Sequence, residues 1–446
     1  MRELATIARH AGTVLAGQLA VMAFGVTDTI VAGRFSSEAL AALSVASAVF
    51  VSVFISLMGI LQALLPIWAE QHGRGDTTEI GTSFRQSLYL ASGLTLLGML
   101  ILLFPGPILA WTEVPEVMQA DVRAYLIIVG WALPSAMFFR LYTTLNQALG
   151  YPQLVTWLQV AALVLKIPLS IWFTFGGWGV QAQGVAGCAW ATLLVDYAIA
   201  ILAVALMRHQ KLYAPLKLWQ SLESPDWKRL RSFLRLGIPA GLSILVEVTS
   251  FTLVALFVAR QGAMSAASHQ IAANLAAVCY MLPLSLGIAI SARVSWWRGT
   301  GNEAQAQQLA WLGIKIAIIS GVVLSTSLLL LRSYIPHVYT ADPGVIALTS
   351  ALLLWVALYH AFDSIQCVCI FLLRCWRVTL APLVVYCSLL WGGGLGGGYW
   401  MAYQNASTSA LWSGNPTPFW LGSGVALMFV ASAFVYLLYR VLQPHK

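Results

Sequence analysis

Charge is what this sequence has least of. Only 9% of its 446 residues are Asp, Glu, Lys or Arg, while 59% are hydrophobic and the mean hydropathy is +0.80. That balance excludes an ordinary soluble domain and places the chain among polytopic membrane proteins. No GxxxxGK[ST] stretch occurs and no polar segment is long enough to house one, which argues against ATP-driven transport. The six cysteines (Cys188, Cys279, Cys367, Cys369, Cys375 and Cys387) all fall in or beside apolar runs. Cys367 and Cys369 are two apart and point to different helix faces, so they read as small core residues rather than as a disulfide or metal pair. The histidines are scattered, and neither a Ser/His/Asp pattern nor a metal-ligand spacing stands out. No enzyme and no resident cofactor are expected.

What is there is a train of apolar runs. A membrane-spanning helix takes roughly 20 such residues. Twelve candidates lie near 11–33, 41–69, 84–104, 124–148, 154–175, 184–206, 234–259, 266–291, 308–331, 345–372, 380–402 and 420–441. The net charge of +8 reflects membrane topology rather than nucleic-acid binding. With twelve spans and an inside N-terminus, Arg74, Arg208, Lys228, Arg229, Arg298 and Arg377 collect on one side. The other side keeps only Arg34, Arg123, Arg260 and Arg332. This is the positive-inside bias of a bacterial inner (plasma) membrane protein with both termini in the cytoplasm. The basic start, Met1–His10, runs on past Asp28 without an A-x-A-like cleavage site.

The longest polar segment, Met207–Phe233, lies near the midpoint. It suggests an N-terminal lobe over 1–206, a cytoplasmic linker over 207–233 and a C-terminal lobe over 234–446. Ser224-Pro225-Asp226 reads as a cap, a first-position proline and a first-turn acid, opening a basic amphipathic helix. The halves echo each other. A shift of 226 residues lays Gly33-Arg34 on Ala259-Arg260, Ala46 on Ala272, and Gly73 and Gly75 on Gly299 and Gly301. A fold of twelve helices in two pseudo-symmetric six-helix bundles follows, with a substrate path between them. Prolines at Pro66, Pro134, Pro168, Pro239, Pro283 and Pro382 interrupt or bend spans. The glycine run Gly392–Gly398, lying within a span and away from basic residues, reads as close helix packing.

Asp28, Glu247 and Asp363 lie inside apolar runs, where an ionised carboxylate costs at least a few kcal/mol unless it serves a cavity or a partner. None recurs in the other half: Asp28 maps to Val254, Glu247 to Val21 and, at a shift of 225, Asp363 to Phe138. Tyr359 precedes Asp363 by one turn on the same face and could donate to it or help bind a cation. Glu247 and Asp363 in one half could share a proton or a Na⁺ ion. In the first half, Thr27 and Thr29 flank Asp28 and could satisfy it without any function. Lys166 is a lysine in mid-span that needs an acid, and Asp28 reads as its one partner.

The stretches GVTDTIVAG, PIWAEQHGRGD, GVAGCAWAT, DWKRLRSFLRLGIPAGLSILVE, ASHQIAANL and YHAFDSIQ together resemble the multidrug and toxic compound extrusion (MATE) family, in its NorM-like branch. The resemblance implies export of organic cations in exchange for Na⁺ or H⁺. It places the coupling-cation site on Glu247 and Asp363 with Tyr359 alongside, and the first-lobe acid on Asp28. One departure stands out: Lys166 lies in LKIP where relatives carry asparagine, so a lysine competes with any cation for Asp28. Small amphipathic cations and the lipid bilayer are the expected partners, and a monomer the expected state. The alternative within the superfamily is a lipid-linked precursor flippase, which would need a cationic cavity for pyrophosphate.

Overall fold

The computed structural model describes residues 2–107, 116–177, 179–404, 412 and 414–443. Twelve helices in it are long and apolar enough to cross a membrane. They are α1 (Glu3–Phe35), α2 (Ser37–Arg74), α3 (Thr77–Leu103), α4 (Met118–Leu149), α5 (Pro152–Phe175) and α6 (Val185–His209). The rest are α7 (Trp227–Ala259), α8 (Ala263–Gly299), α9 (Glu303–Leu331), α10 (Pro343–Cys375), α11 (Leu380–Gln404) and α12 (Thr417–Leu442). Each corresponds to one apolar run, and the described residues form no strand. The chain is an all-α polytopic membrane protein. It divides into two compact units, Gly12–Gly241 and the set Met1–Ala11 plus Leu242–Lys446.

Local chemistry decides where helices start and bend. Ser36 opens α2 by accepting the Ala39 amide at 2.9 Å, and Asn302 opens α9 by accepting that of Gln305 at 3.0 Å. Within α2 the regular helix stops at Gln62 and restarts at Leu65, with Pro66 in the new first turn, where its missing N–H leaves no bond unmade. Gly75, at φ +77°, then closes the span in a left-handed cap. Pro134, Pro168, Pro239 and Pro283 instead sit inside helices that continue past them.

The start of α7 departs from expectation. Ser224 is not its cap: Asp226 is, accepting the amides of Lys228 at 3.0 Å and Arg229 at 3.2 Å. The reason lies on α3. The Gln86 amide donates to the Ser224 carbonyl at 3.0 Å and accepts the Asp226 N–H at 2.8 Å, so this backbone is already engaged and the helix begins at Trp227. Neighbouring α3 side chains complete the clasp. Arg85 bonds both oxygens of Glu223, with Nε to Oε2 at 2.9 Å, and Tyr89 donates to the Glu223 carbonyl at 2.8 Å. Gly81 lets the linker approach, since a Cβ there would lie 1.8 Å from the Leu216 carbonyl oxygen.

In the second unit the glycine run packs closely against α12, as its composition suggests. A Cβ on Gly422 would meet the Gly394 carbonyl at 2.7 Å, and one on Gly398 would touch Phe419 at 3.0 Å. Along this stretch, Tyr386–Gly396 and Trp400–Gln404 wind as π-helix. These wider turns are tolerated where bare backbone faces the neighbouring helix.

Candidate functional site

In the first unit, Asp28 of α1 is buried and its Oδ1 accepts from Lys166 Nζ at 3.0 Å and Ser170 Oγ at 3.1 Å. Lys166 and Ser170 are one turn apart on α5, so a single face of that helix serves the carboxylate. The flanking threonines take no part. Thr27 and Thr29 donate to the Ala23 and Gly25 carbonyls of their own helix, each at 2.8 Å. Asp28 is therefore satisfied across helices rather than locally.

Lys166 is fully buried, at 0% exposure. Besides Asp28 it donates to the Cys188 carbonyl at 3.1 Å and to the Thr192 hydroxyl, both on α6. This reach depends on Gly187. A Cβ there would lie 2.5 Å from the Phe173 carbonyl carbon and the Thr174 nitrogen, so the bare glycine lets α6 lie against the end of α5. An ammonium donating to three oxygens, one of them a carboxylate, is a charge removed from water but fully hydrogen-bonded.

A fourth intramembrane carboxylate, besides the three that stand out in the sequence, belongs to this neighbourhood. Asp196 lies on α6 one turn beyond Thr192 and within the field of Lys166. Asp28 is therefore not the one acid available to the lysine. The signal was present, an acid inside the apolar run LLVDYAIA, of the same kind that singles out the other three. Tyr125 of α4 is buried where both Asp28 and Asp196 act on it.

In the second unit, Asp363 of α10 has 0% exposure. Its Oδ1 accepts from Gln366 Nε2 at 2.8 Å, and the Gln366 carbonyl oxygen in turn accepts from the Tyr386 hydroxyl of α11. Asp363 Oδ2 has no hydrogen bond among the described residues; His360 Nδ1 lies 3.4 Å away. Both ring nitrogens of His360 also lack a hydrogen bond there. Glu247 of α7 is partly exposed and close enough to Asp363 for the two carboxylates to act on each other, with the buried Arg374 also in range.

Tyr359 does not donate to Asp363. Its ring forms a wall, edge-on to Trp420 at 5.8 Å, Phe251 at 6.0 Å and His360 at 5.3 Å between centroids. Trp420 is oriented by donating to His269 Nδ1 at 3.2 Å. The chemistry of this place is a pair of carboxylates, one with a free oxygen, beside aromatic faces that suit an organic cation. Among the described residues no three His, Cys, Asp or Glu side chains cluster as transition-metal ligands. Carboxylate oxygens are hard donors, of the type that protons and alkali cations take.

A family profile described as MatE matches residues 14–172 and again 239–397, a displacement of 225 residues, within one of the shift that relates the two halves internally. Over 97% of its length the chain is 33% identical to the Probable multidrug resistance protein NorM of Aromatoleum aromaticum, of which it covers 93%. It is 28% identical to the Multidrug resistance protein MdtK of Yersinia pseudotuberculosis, over 95% of this chain and 92% of that one. The fold is similar to that of the eukaryotic MATE transporter AtDTX14, with TM-score 0.81 at 18% identity and 99% of both chains covered. It is also similar to a mutant of the Vibrio cholerae MATE transporter VcmN, with TM-score 0.87 at 16% identity and coverage of 99% and 97%.

Proposed function

The chain belongs to the MatE family, and from that premise we propose that it is a secondary-active antiporter. On this reading it expels amphipathic organic cations across a bacterial inner membrane in exchange for Na⁺ or H⁺. The names of its relatives, multidrug resistance proteins NorM and MdtK, agree with such a role. The observation that carries the reading is Asp363, wholly buried with one oxygen free of hydrogen bonds among the described residues, beside a second acid, Glu247, and an aromatic wall.

An unsatisfied carboxylate oxygen in a low-dielectric interior gains most from a proton or a small cation. Glu247 and Asp363 would take that coupling ion together, with Tyr359 shaping the space beside them. Asp28 and Lys166 would form the first-half site. The ion's inward movement supplies roughly 2.3 kcal/mol per charge per 100 mV, besides any concentration gradient. Exchange requires that ion and substrate favour different states of the protein. No resident cofactor is needed, and a monomer suffices. A lipid-linked precursor flippase fits less well, because Asp28, Asp196, Glu247 and Asp363 are poor company for a pyrophosphate.

Reconstitution into proteoliposomes tests the reading. Adding an amphipathic cation such as tetraphenylphosphonium should drive measurable proton or Na⁺ counterflow. Absence of counterflow with a panel of such cations, under either ion gradient, would overturn it.

A further inference from the structure

The first-unit site holds more negative charge than its ion pair uses. The donors of the Lys166 ammonium go to Asp28, the Cys188 carbonyl and the Thr192 hydroxyl. Asp196 stands one turn past Thr192 on the same face of α6, partly buried and within the field of Lys166. Among the described residues nothing donates a hydrogen bond to its carboxylate. The other titratable groups acting on these acids are Tyr125 of α4 and Cys188 of α6, and neither brings positive charge. Two carboxylates thus share one ammonium. Along α6 the second lies one turn deeper than Thr192 from the Val185 end, about 6 Å. That distance is within the swing of a four-carbon lysine stem.

We propose that Asp196 is the alternate acceptor for Lys166, so that a proton arriving at Asp28 passes the ammonium past Thr192 to Asp196. The proton adds to an Asp28 oxygen, the ammonium keeps its own three protons, and nothing is oxidised. The gain is that the lysine is never stranded: a buried ammonium without a counterion is strongly destabilised. Asp196 acts here as a positioning residue. Its transport consequence rests on the antiport reading, giving the first half a place for one exchangeable proton. Its stability consequence does not.

The test is a thermal-unfolding series on the purified full chain, comparing Asp28→Asn, Asp196→Asn, the double variant, and the double variant carrying Lys166→Met. Asp28→Asn alone should be mild, because Asp196 takes the ammonium. The double variant should fall below the sum of the singles by about 5 °C or more, and Lys166→Met should recover that loss. Should the double variant fail to accumulate, recovery of folded protein by Lys166→Met gives the same answer. A readout that plain destabilisation would not move is the pH profile. Asp196→Asn should unfold more readily on acidification than wild type, since protonating Asp28 then strands the lysine. Additive losses together with parallel pH profiles would overturn the proposal. In proteoliposomes Asp196→Asn should weaken the coupling of tetraphenylphosphonium export to an imposed pH gradient. If wild type exports none, the antiport reading fails, and the unfolding series still decides the role of Asp196.

Discussion

Lys166 Nζ stands 3.0 Å from Asp28 Oδ1, with the lysine wholly removed from solvent. Such a pair is weak evidence for net stability, yet removing the lysine, the one cation that two acids share, is costly. Lys166→Met should therefore lose on the order of 3 kcal/mol, leaving Asp28 and Asp196 without a counterion. Adding Asp28→Asn should return part of that loss. Thermal unfolding of the two singles and the double closes the cycle, and strictly additive values would refute the coupling.

For Glu247 and Asp363 the informative changes keep shape and remove charge. Glu247→Gln and Asp363→Asn should each abolish ion-driven export while folded protein still accumulates in the membrane. Counterflow in proteoliposomes, with detergent size-exclusion as the folding check, measures both. Full transport by the two variants would remove the site from the mechanism.

Gly187 makes a prediction about geometry. Valine there drives side-chain atoms into the Phe173–Thr174 backbone and should cost about 1–3 kcal/mol through displacement of α6 from α5. Because Cys188 and Thr192 ride on α6, export should suffer too. Gly12 is the control: a Cβ there meets nothing within 4 Å, and alanine should be neutral or stabilising by about 0.5–1 kcal/mol.

The clasp between α3 and the linker should be acid-sensitive. Hydrogen bonds from the Arg85 guanidinium hold the Glu223 carboxyl below the usual glutamate range. A folded-state value lowered this way contributes stability above the ordinary glutamate pKa and loses it as pH falls through the lowered one. Hydrogen exchange across 217–226 should thus rise at acid pH in wild type relative to neutral conditions, after correction for intrinsic rates. Glu223→Gln should exchange faster already at neutral pH and change little further. Identical profiles would show that the carboxylate does not hold the linker.

How much of this was legible beforehand divides by range. The twelve spans and the repeat could be read because apolar length and a constant displacement are properties of the chain itself. Helix ends were harder: the α7 cap moved from Ser224 to Asp226 because Gln86, far away in sequence, holds that backbone. Glycines 392–398 announced close packing but not the π-helical winding that goes with it. The threonines beside Asp28 offered a purely local way to satisfy it, yet their hydroxyls turn back onto their own helix. Asp196 was legible and missed. The unsatisfied oxygen of Asp363 was not legible at all, since it depends on what the described neighbouring residues fail to offer.

The first residues of the chain carry a consequence for its synthesis. The start of α1, Glu3–Ala11, belongs to the second-half unit, and Glu3 receives two hydrogen bonds from Arg293, at 2.6 and 2.7 Å, across 290 positions of sequence. At about 5–20 residues per second, the ribosome needs roughly 15–60 s to deliver that arginine. For all that time the beginning of α1 waits without its partner, while the helices after it are threaded and sorted. This stretch of α1 is made long before it is fastened, so completion of α8, rather than insertion of α1, sets the moment when Glu3 acquires its partner.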